Sequence, residues 1–196
     1  MAGITKTHIQ LGDSTTATNN FMLTAQTADG TMKLARGNNG ATTQDILTVN
    51  ADGGIKGIQP AFSAYASVST SLTNGTNTKI TFGTKEFDTA NAFDATTNFR
   101  FTPLVAGYYQ VNGAVMLVAT STQLSASIFK NGASYKQGQF SGSASAGNSI
   151  VSALVFLNGT TDYIELYAVQ TSGATQTTST AGLNQTYFQA ILLRAA

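Results

Sequence analysis

Hydrophobic and polar positions alternate along this chain in short runs. No segment repeats apolar residues at the helical spacing of i, i+3, i+4 and i+7 over three turns. β-Branched and aromatic stretches are instead separated by Gly, Asn, Asp and Ser. This punctuation is typical of antiparallel strands joined by tight turns, so the sequence predicts an all-β protein.

The N-terminal part, residues 1–59, is poor in large apolar side chains. It contains three short strand candidates: Phe21–Gln26, Thr31–Arg36 and Ile46–Val49. Asp29-Gly30 predicts a hairpin turn between the first two. Asp52-Gly53-Gly54 breaks the pattern, and we interpret Ile55–Pro60 as a linker. Because so small a unit rarely buries enough surface to be stable alone, we expect it to pack against copies of itself or a larger assembly.

Residues 60–196 carry longer strand candidates at a spacing that predicts a sandwich or jelly roll. They are Ala61–Ser67, Lys79–Gly83, Tyr108–Ala119, Leu124–Lys130, Ser134–Phe140, Ile150–Leu157, Tyr163–Gln170 and Tyr187–Leu193. Asn131-Gly132 and Asn158-Gly159 predict hairpins. Asn112-Gly113 is either a turn that divides the longest run or strand interior where Gly113 marks a bulge or a close backbone approach.

Composition narrows the functional classes. Charged residues make up 10% of the chain and hydrophobic residues 42%, so hydroxyl, amide and glycine residues supply most of the polar surface. The ten Lys and Arg are scattered singly, which gives no basic face for nucleic acid. No apolar run is long enough to predict a membrane span, and Met1–Gln10 lacks the pattern of a secretory signal. With no Cys, disulfides and thiolate metal sites are excluded, and we expect assembly in a cytoplasm.

Four features occur in a recognisable order across Pro60–Leu193. They are Ala61-Phe62-Ser63-Ala64; the series Phe82, Asp88, Phe93, Phe101, Gly107 and Tyr109; Leu157-Asn158-Gly159 through Asp162-Tyr163-Ile164; and the closing Phe188–Leu193. Together they resemble the complement C1q globular heads, relatives of the tumour necrosis factor jelly rolls. The chain departs from that pattern by one extra residue in each of the two middle features and by Val111 and Gly113 where aromatics are expected.

The resemblance implies a ten-strand jelly roll that forms a tight homotrimer, with apolar side chains packed along a threefold axis. Aromatic residues would fill the space between two sheets, and Gly107 would let the chain turn sharply into its longest strand. The resemblance also favours the strand-interior interpretation of Gly113. We assign these residues to core or trimer packing: Phe62, Tyr65, Phe82, Phe93, Phe101, Gly107, Tyr109, Phe156, Phe188 and Leu192.

The N-terminal part carries a second, shorter resemblance. Asp29-Gly30-Thr31, Lys33–Gly37 and Asp45–Val49 lie within Phe21–Gly54, which is similar to segments of tailed-bacteriophage fibre proteins. This similarity implies a virion appendage, in which residues 1–59 form a small β-rich module for docking and trimerisation and residues 60–196 form an outward-facing head. No membrane insertion is expected.

Catalytic chemistry has little support. His8, the one histidine, lies in a polar lead segment that is not expected to hold a catalytic base rigidly. Asp88 and Asp94, with Glu86 close by, are the best carboxylate pair for glycoside hydrolysis, but turn formation around Phe93 explains them more simply. We therefore expect no enzyme and no resident cofactor.

Two binding roles stay open. Asp162 and Asp94 could hold calcium, although no dense Asp-x-Asp-x-Asp loop is present and loop solvation explains them more simply. The segments Ser141–Ser149 and Thr171–Gly182 are interpreted as long polar loops that either contact a receptor sugar or only connect strands. The candidate receptor contacts are Tyr135, Tyr163, Thr175 and Gln176, with Tyr187 nearby.

These observations favour a structural virion protein of a tailed phage, a homotrimeric tail fibre or receptor-binding protein that adheres to a host polysaccharide or protein. One alternative is a capsid decoration or head-fibre protein, in which the same trimer sits on the shell. A second is a polysaccharide depolymerase.

Overall fold

The computed structural model describes residues 8–12, 15–16, 20–25, 30–38, 41–57, 59–180 and 184–196. By internal contacts the chain divides into two compact units, Met1–Ile58 and Gln59–Ala196, which we call the N-terminal unit and the head. The secondary structure of the described residues is all β, as predicted. Within them no helix is long and apolar enough to cross a membrane.

The N-terminal unit is an antiparallel meander of five strands in chain order. The strands are β1 (His8–Leu11), β2 (Phe21–Ala25), β3 (Met32–Asn38), β4 (Ala41–Val49) and β5 (Ile55–Gly57). The three predicted strands are confirmed as β2, β3 and β4, and β2 and β3 pair as a hairpin through Ala25 and Met32. Gln26 and Asp29 of the predicted strand and turn lie outside the described residues.

The interpretation of Ile55–Pro60 as a linker was wrong for its first three residues. Asp52-Gly53-Gly54 does not end the sheet but closes a hairpin between β4 and β5, in which Asn50 N donates to Gly54 O at 2.8 Å. Gly53 has φ of 84°, a left-handed conformation that favours glycine. The Gly-rich break in the pattern of strand residues is therefore a turn between two paired strands.

The head contains the remaining strands. They are β6 (Ala61–Tyr65), β7 (Ser71–Leu72), β8 (Thr78–Lys79), β9 (Thr84–Asp88), β10 (Phe93–Asp94), β11 (Arg100–Phe101), β12 (Gly107–Lys130), β13 (Ala133–Gln137), β14 (Ser141–Leu157), β15 (Ile164–Gln170), β16 (Gln176–Thr177) and β17 (Tyr187–Ala195).

Strand β12 belongs to both layers of the head. Its first half pairs with β14 and β17, and β17 continues to β6 and β9; we call this layer the front sheet. Its second half pairs with β13 and β15, and β15 continues to β11 and β8; we call this layer the back sheet. The predicted strands Tyr108–Ala119 and Leu124–Lys130 are thus one strand, whose pairing with β14 shifts register between Met116 and Leu124.

Gly113 lies inside β12, which confirms the strand-interior interpretation. A Cβ atom on Gly113 would lie 2.5 Å from Leu166 Cδ1, on the back-sheet strand β15. The two layers therefore face each other at van der Waals distance here, as in a β-sandwich.

Of the two predicted hairpins in the head, one is confirmed and one is wrong. Asn131 and Gly132 both have positive φ, 53° and 78°, and connect β12 to its partner β13. Asn158-Gly159 instead lies on a crossover, since β14 pairs with the first half of β12 whereas β15 pairs with the second half. Gly159 does have a positive φ of 71°, but the turn leads to the other sheet.

Ser141–Ser149, interpreted as a loop, lies within strand β14. Pairing continues from Ser141 to Leu157 along β12, with bulges near its start. Small polar residues carry no strong signal for strand or loop, and the long partner strand β12 decides the outcome here.

Aromatic rings fill the space between the sheets. Phe62 stacks on Phe93 and Phe101, with ring centroids 4.5 and 4.6 Å apart, and meets Phe188 edge-on at 5.2 Å. Tyr109 packs edge-on against Phe101 and donates its hydroxyl hydrogen to Val105 O at 2.7 Å. Burial raises the pKa of Tyr109 to about 12. These contacts tie the two layers into one core.

Candidate interaction surfaces

The front sheet turns a second set of apolar side chains away from the core. On β12, Tyr109, Val111 and Val115 are fully buried, whereas Tyr108 is 48% exposed. We call the outward side chains of β12, β14 and β17 the outer face. Its large apolar members are Tyr108, Ile150, Leu154, Phe156, Ile191 and Leu193, with exposed fractions from 39% to 62%.

Five of these side chains lie together at one end of the outer face, and a polar row separates them from Ile150. Tyr108 pairs with Phe156 across β12 and β14, with ring centroids 5.4 Å apart. In the next row Gln110 lies between Leu154 on one side and Ile191 on the other. Since directly paired residues are neighbours on one face of a sheet, three adjacent strands contribute to this surface.

A polar cluster crosses the middle of the outer face. Gln110 Nε2 donates to Asn112 Oδ1 at 3.2 Å and to Ser152 Oγ at 2.9 Å, and Ser152 Oγ donates to Asn112 Oδ1 at 2.8 Å. Gln189 on β17 pairs with Asn112 and extends this polar row. These groups largely satisfy one another, which lowers the cost of covering them with another protein surface.

Beyond this cluster the outer face is recessed. The recess has a volume of about 420 Å³ and is lined by Ser63, Glu86, Ile150, Asn184, Tyr187 and Gln189 among others. Glu86 accepts hydrogen bonds from Ser63 Oγ at 2.6 Å and from Asn184 Nδ2 at 3.2 Å. One carboxylate is therefore already hydrogen-bonded inside an otherwise neutral depression.

Five members of the outer face were not singled out from the sequence: Tyr108, Ile150, Leu154, Ile191 and Leu193. A signal for them was present. Ala153–Leu157 and Ala190–Leu193 are uninterrupted apolar runs rather than alternating ones. An uninterrupted run in a strand indicates that both faces of the strand are covered, and one cover comes from the core.

The residues assigned to packing divide between the core and the outer face. Phe62, Phe82, Phe93, Phe101, Tyr109, Phe188 and Leu192 are buried in the core within one chain. Phe156 is 39% exposed and belongs to the outer face. Tyr65 is half-buried and pairs with Tyr187, next to the recess.

Gly107 is required for a reason other than the predicted sharp turn. Its φ lies outside the left-handed region, and a Cβ atom there would lie 2.4 Å from Arg194 O and 2.7 Å from Leu192 Cδ1. Close packing of β12 against β17, not backbone bending, excludes a side chain at this position.

The structure does not bring the four candidate receptor residues together. Tyr163 precedes β15 and stacks under the Arg100 guanidinium at 4.3 Å, while Tyr135 lies on β13 and is 43% exposed. Thr175 is exposed and Gln176 half-buried, and both follow the far end of β15. Since β15 spans seven residues, the two pairs lie roughly 20 Å apart.

Asp88 and Asp94 serve the loop around Phe93. Asp88 accepts hydrogen bonds from the backbone of Ala92 and Phe93, both at 3.0 Å, and pairs with the Lys85 ammonium at 3.2 Å. Asp94 accepts from the backbone N–H groups of residues 96, 97 and 98. These backbone bonds, that of Thr97 first, hold the pKa of Asp94 well below its usual range. Both carboxylates thus act as turn-shaping residues, as interpreted from the sequence.

Asp162 fastens the crossover between the sheets. It pairs with the Lys130 ammonium at 2.9 Å and accepts from Asn131 Nδ2 at 2.7 Å and Asn158 N at 3.1 Å. The amide hydrogen bond from Asn131, followed by the contact with Lys130, lowers its pKa. Lys130 also donates to Phe156 O at 2.7 Å, so the cluster joins the ends of β12, β14 and β15.

His8 begins β1 opposite Thr24, so the described end of the polar lead segment, His8–Leu11, lies in a sheet. Among the residues that the structure describes, no group of three or more His, Asp or Glu could hold a metal ion.

A groove of about 580 Å³ runs beside the loop that holds Phe93. Its polar lining includes Lys85, Asn91, Asp94, Asn98 and Arg100. Lys85 is already paired with Asp88, and Arg100 stacks on Tyr163, so its two cations have partners within the chain.

Comparison with solved structures defines the class of fold. Over 69% of this chain and 99% of the other, the chain is similar to murine APRIL at pH 5.0, with a TM-score of 0.54 and 10% identity. Over 71% of this chain and 94% of the other, it is similar to the Eiger TNF of S. frugiperda, with a TM-score of 0.53 and 12% identity. The fold is therefore a TNF-like jelly roll, consistent with the resemblance found in the sequence.

No protein-family model matches this sequence, and no curated protein is significantly similar. At these identities the structural likeness concerns the fold alone.

Proposed function

We propose that this chain is a homotrimeric structural protein of a tailed-phage virion, a tail-fibre or receptor-binding protein whose head adheres to the host surface. The observation that carries the proposal is the outer face, an apolar surface on a jelly roll whose core is already complete within one chain. The phage setting is supported by the resemblance of Phe21–Gly54 to fibre-protein segments.

The size of the outer face supports burial between copies. Six large side chains that are about half exposed present on the order of 500 Å² of apolar surface. The largest apolar patch on a typical soluble monomer is about 300–600 Å² and is often functional, so a patch of this size is consistent with an interaction site. At ~25 cal/mol per Å², covering it is worth up to about 12 kcal/mol per chain before association costs. The rows that contain Gln110 and Asn112 carry no charged side chain, whereas Arg194 pairs with Tyr108 at the edge of the face, so like-charge repulsion between identical copies is confined to that edge.

Substitution of Leu154 tests the trimer. Leu154 is 54% exposed at the centre of the outer face, so Leu154→Asp should leave the fold intact but place a carboxylate in the interface. We expect the wild-type native mass to be three times 20.3 kDa and that of the variant to fall to 20.3 kDa. Leu104→Asp is the matched control, because Leu104 is 77% exposed and lies outside these strands. A wild-type monomer would refute the trimer, and a trimeric mass for both variants would refute the outer face as its interface.

Labelling intact particles tests the setting. We expect antibody against the head to decorate the tail, and purified head-bearing trimer to compete with the phage for host cells. Label confined to the capsid would support the decoration or head-fibre alternative, in which the same trimer sits on the shell. Absence of label from particles would contradict a virion role.

A further inference from the structure

The sheet of the N-terminal unit has one strongly apolar face. Strand register places seven apolar side chains on it, which we call the N-terminal apolar face: Phe21, Leu23, Met32, Leu34, Leu47, Val49 and Ile55. Ile55 is 72% exposed, Met32 43% and Phe21 40%, and the other four are half-buried. These are large exposures for apolar side chains that share one surface.

The opposite face differs in character. One complete row across β2 to β5 consists of Thr24, Lys33, Thr48 and Lys56. Its apolar members Met22 and Ala35 are fully buried. The opposite face therefore consists of polar or fully buried side chains, whereas the N-terminal apolar face is apolar and partly exposed.

A sheet with one apolar face is stable when a second layer covers that face. The described part of the N-terminal unit is one five-stranded sheet and supplies no second layer. A unit of this size also buries too little surface to be stable without additional support.

We infer that the N-terminal apolar face packs against the same face of the other copies in the trimer, an inference that rests on the proposed trimeric head. The one charged side chain in its rows is Arg36, which pairs with Phe21 near the end of β3. Identical copies can therefore approach without like-charge repulsion across the rest of the face.

Connectivity favours copies of the chain over a foreign occupant. The N-terminal unit ends at Ile58 and the head begins at Gln59, so the two are joined without a long linker. A trimeric head then holds three N-terminal units at an effective concentration on the order of millimolar.

Single cysteines test the inference in the full chain, which has no native Cys. Ile55→Cys and Lys56→Cys are a matched pair, because these exposed residues are adjacent on β5 and point to opposite faces. In the purified trimer we expect maleimide to label Ile55→Cys at least tenfold more slowly than Lys56→Cys. Adding Leu154→Asp should dissociate the trimer and expose position 55, so that the two labelling rates differ by no more than about threefold.

Oxidation identifies what covers the face. Met32→Cys should form disulfide-linked chains in the trimer, whereas Lys33→Cys, its neighbour on β3, should not. A native mass of one chain would defeat the proposed function. Two results would overturn this inference and leave the proposed trimer standing. One is a trimeric mass with equal labelling at positions 55 and 56. The other is protection of position 55 without a disulfide at position 32 or 55.

Discussion

Replacing Gly113 with alanine should destabilise the head by forcing its two sheets apart. The new methyl carbon would lie 2.5, 2.9 and 3.3 Å from Leu166 Cδ1, Cδ2 and Cγ. Overpacking of a core costs about 1–3 kcal/mol, while alanine recovers roughly 0.5–1 kcal/mol that glycine loses in a strand. We therefore expect a net loss of about 1–2 kcal/mol in the free energy of unfolding.

The clash involves one side chain, so its removal should compensate. Leu166 is fully buried, and Leu166→Ala alone should cost about 2–5 kcal/mol. In the double variant the methyl group added at position 113 occupies part of the vacated space. The double variant should thus be more stable than the sum of the single losses predicts by about 1–2 kcal/mol.

Urea denaturation at one fixed protein concentration measures these differences, because the stability of an oligomer depends on concentration. Val68→Ala is the control, since Val68 is 69% exposed in the head and lies outside the outer face, and it should stay within about 0.5 kcal/mol of wild type. A neutral Gly113→Ala, or additive losses in the double variant, would refute the facing of β12 and β15.

Two predictions concern titration. The pKa of Asp162 is lowered from its usual 3.8, so the stability that this carboxylate contributes is complete above about pH 4 and is lost as the pH falls through its folded value. Between pH 7 and pH 2 the thermal midpoint of unfolding should therefore decline less steeply in Asp162→Asn than in wild type. Exposed Asp52→Asn is the control. Identical profiles for Asp162→Asn and wild type would contradict the contribution of the Lys130 cluster to stability. Tyr109, with its pKa raised to about 12, should ionise in a last step near pH 12 of an ultraviolet titration, and stability should fall as the pH rises above about 10. Tyr109→Phe should remove that last step; its persistence would exclude the assignment.

Features that depend on neighbouring residues were predictable from the sequence. The alternation of Tyr109, Val111, Val115 and Leu117 correctly assigns the inward face of β12, where all four are fully buried. Asn131-Gly132 correctly predicts a two-residue hairpin, since its paired left-handed conformations depend only on the local chain.

Features that depend on partner choice were not predictable. Asn158-Gly159 has the composition of a hairpin turn, but the bonds of Lys130 and Asn131 to Asp162 draw the chain across to the other sheet. Thr120–Gln123 is polar and was interpreted as a gap between strands, yet β12 continues through it. Long-range pairing overrides local preference at both places.

The outer face was also predictable from the sequence only in part. The resemblance to trimeric heads implied an apolar contact surface, but most residues assigned to it belong to the internal core. Phe62 and Phe188 are as apolar in sequence as Leu154 and Ile191, and only register separates them. A hydrophobic position indicates that a side chain is buried, but only the strand register shows whether the residues that bury it belong to the same chain or to another copy.

The low charge of this chain affects how its two apolar faces would associate. Charged residues make up only 10% of the sequence, so repulsion between chains is weak and an uncovered outer face or N-terminal apolar face would promote open-ended association. A closed trimer that covers both faces ends that association, because each face is then used up within one particle. Hydroxyl and amide side chains, such as those of β13 and the segment after β15, would then form much of the remaining polar surface.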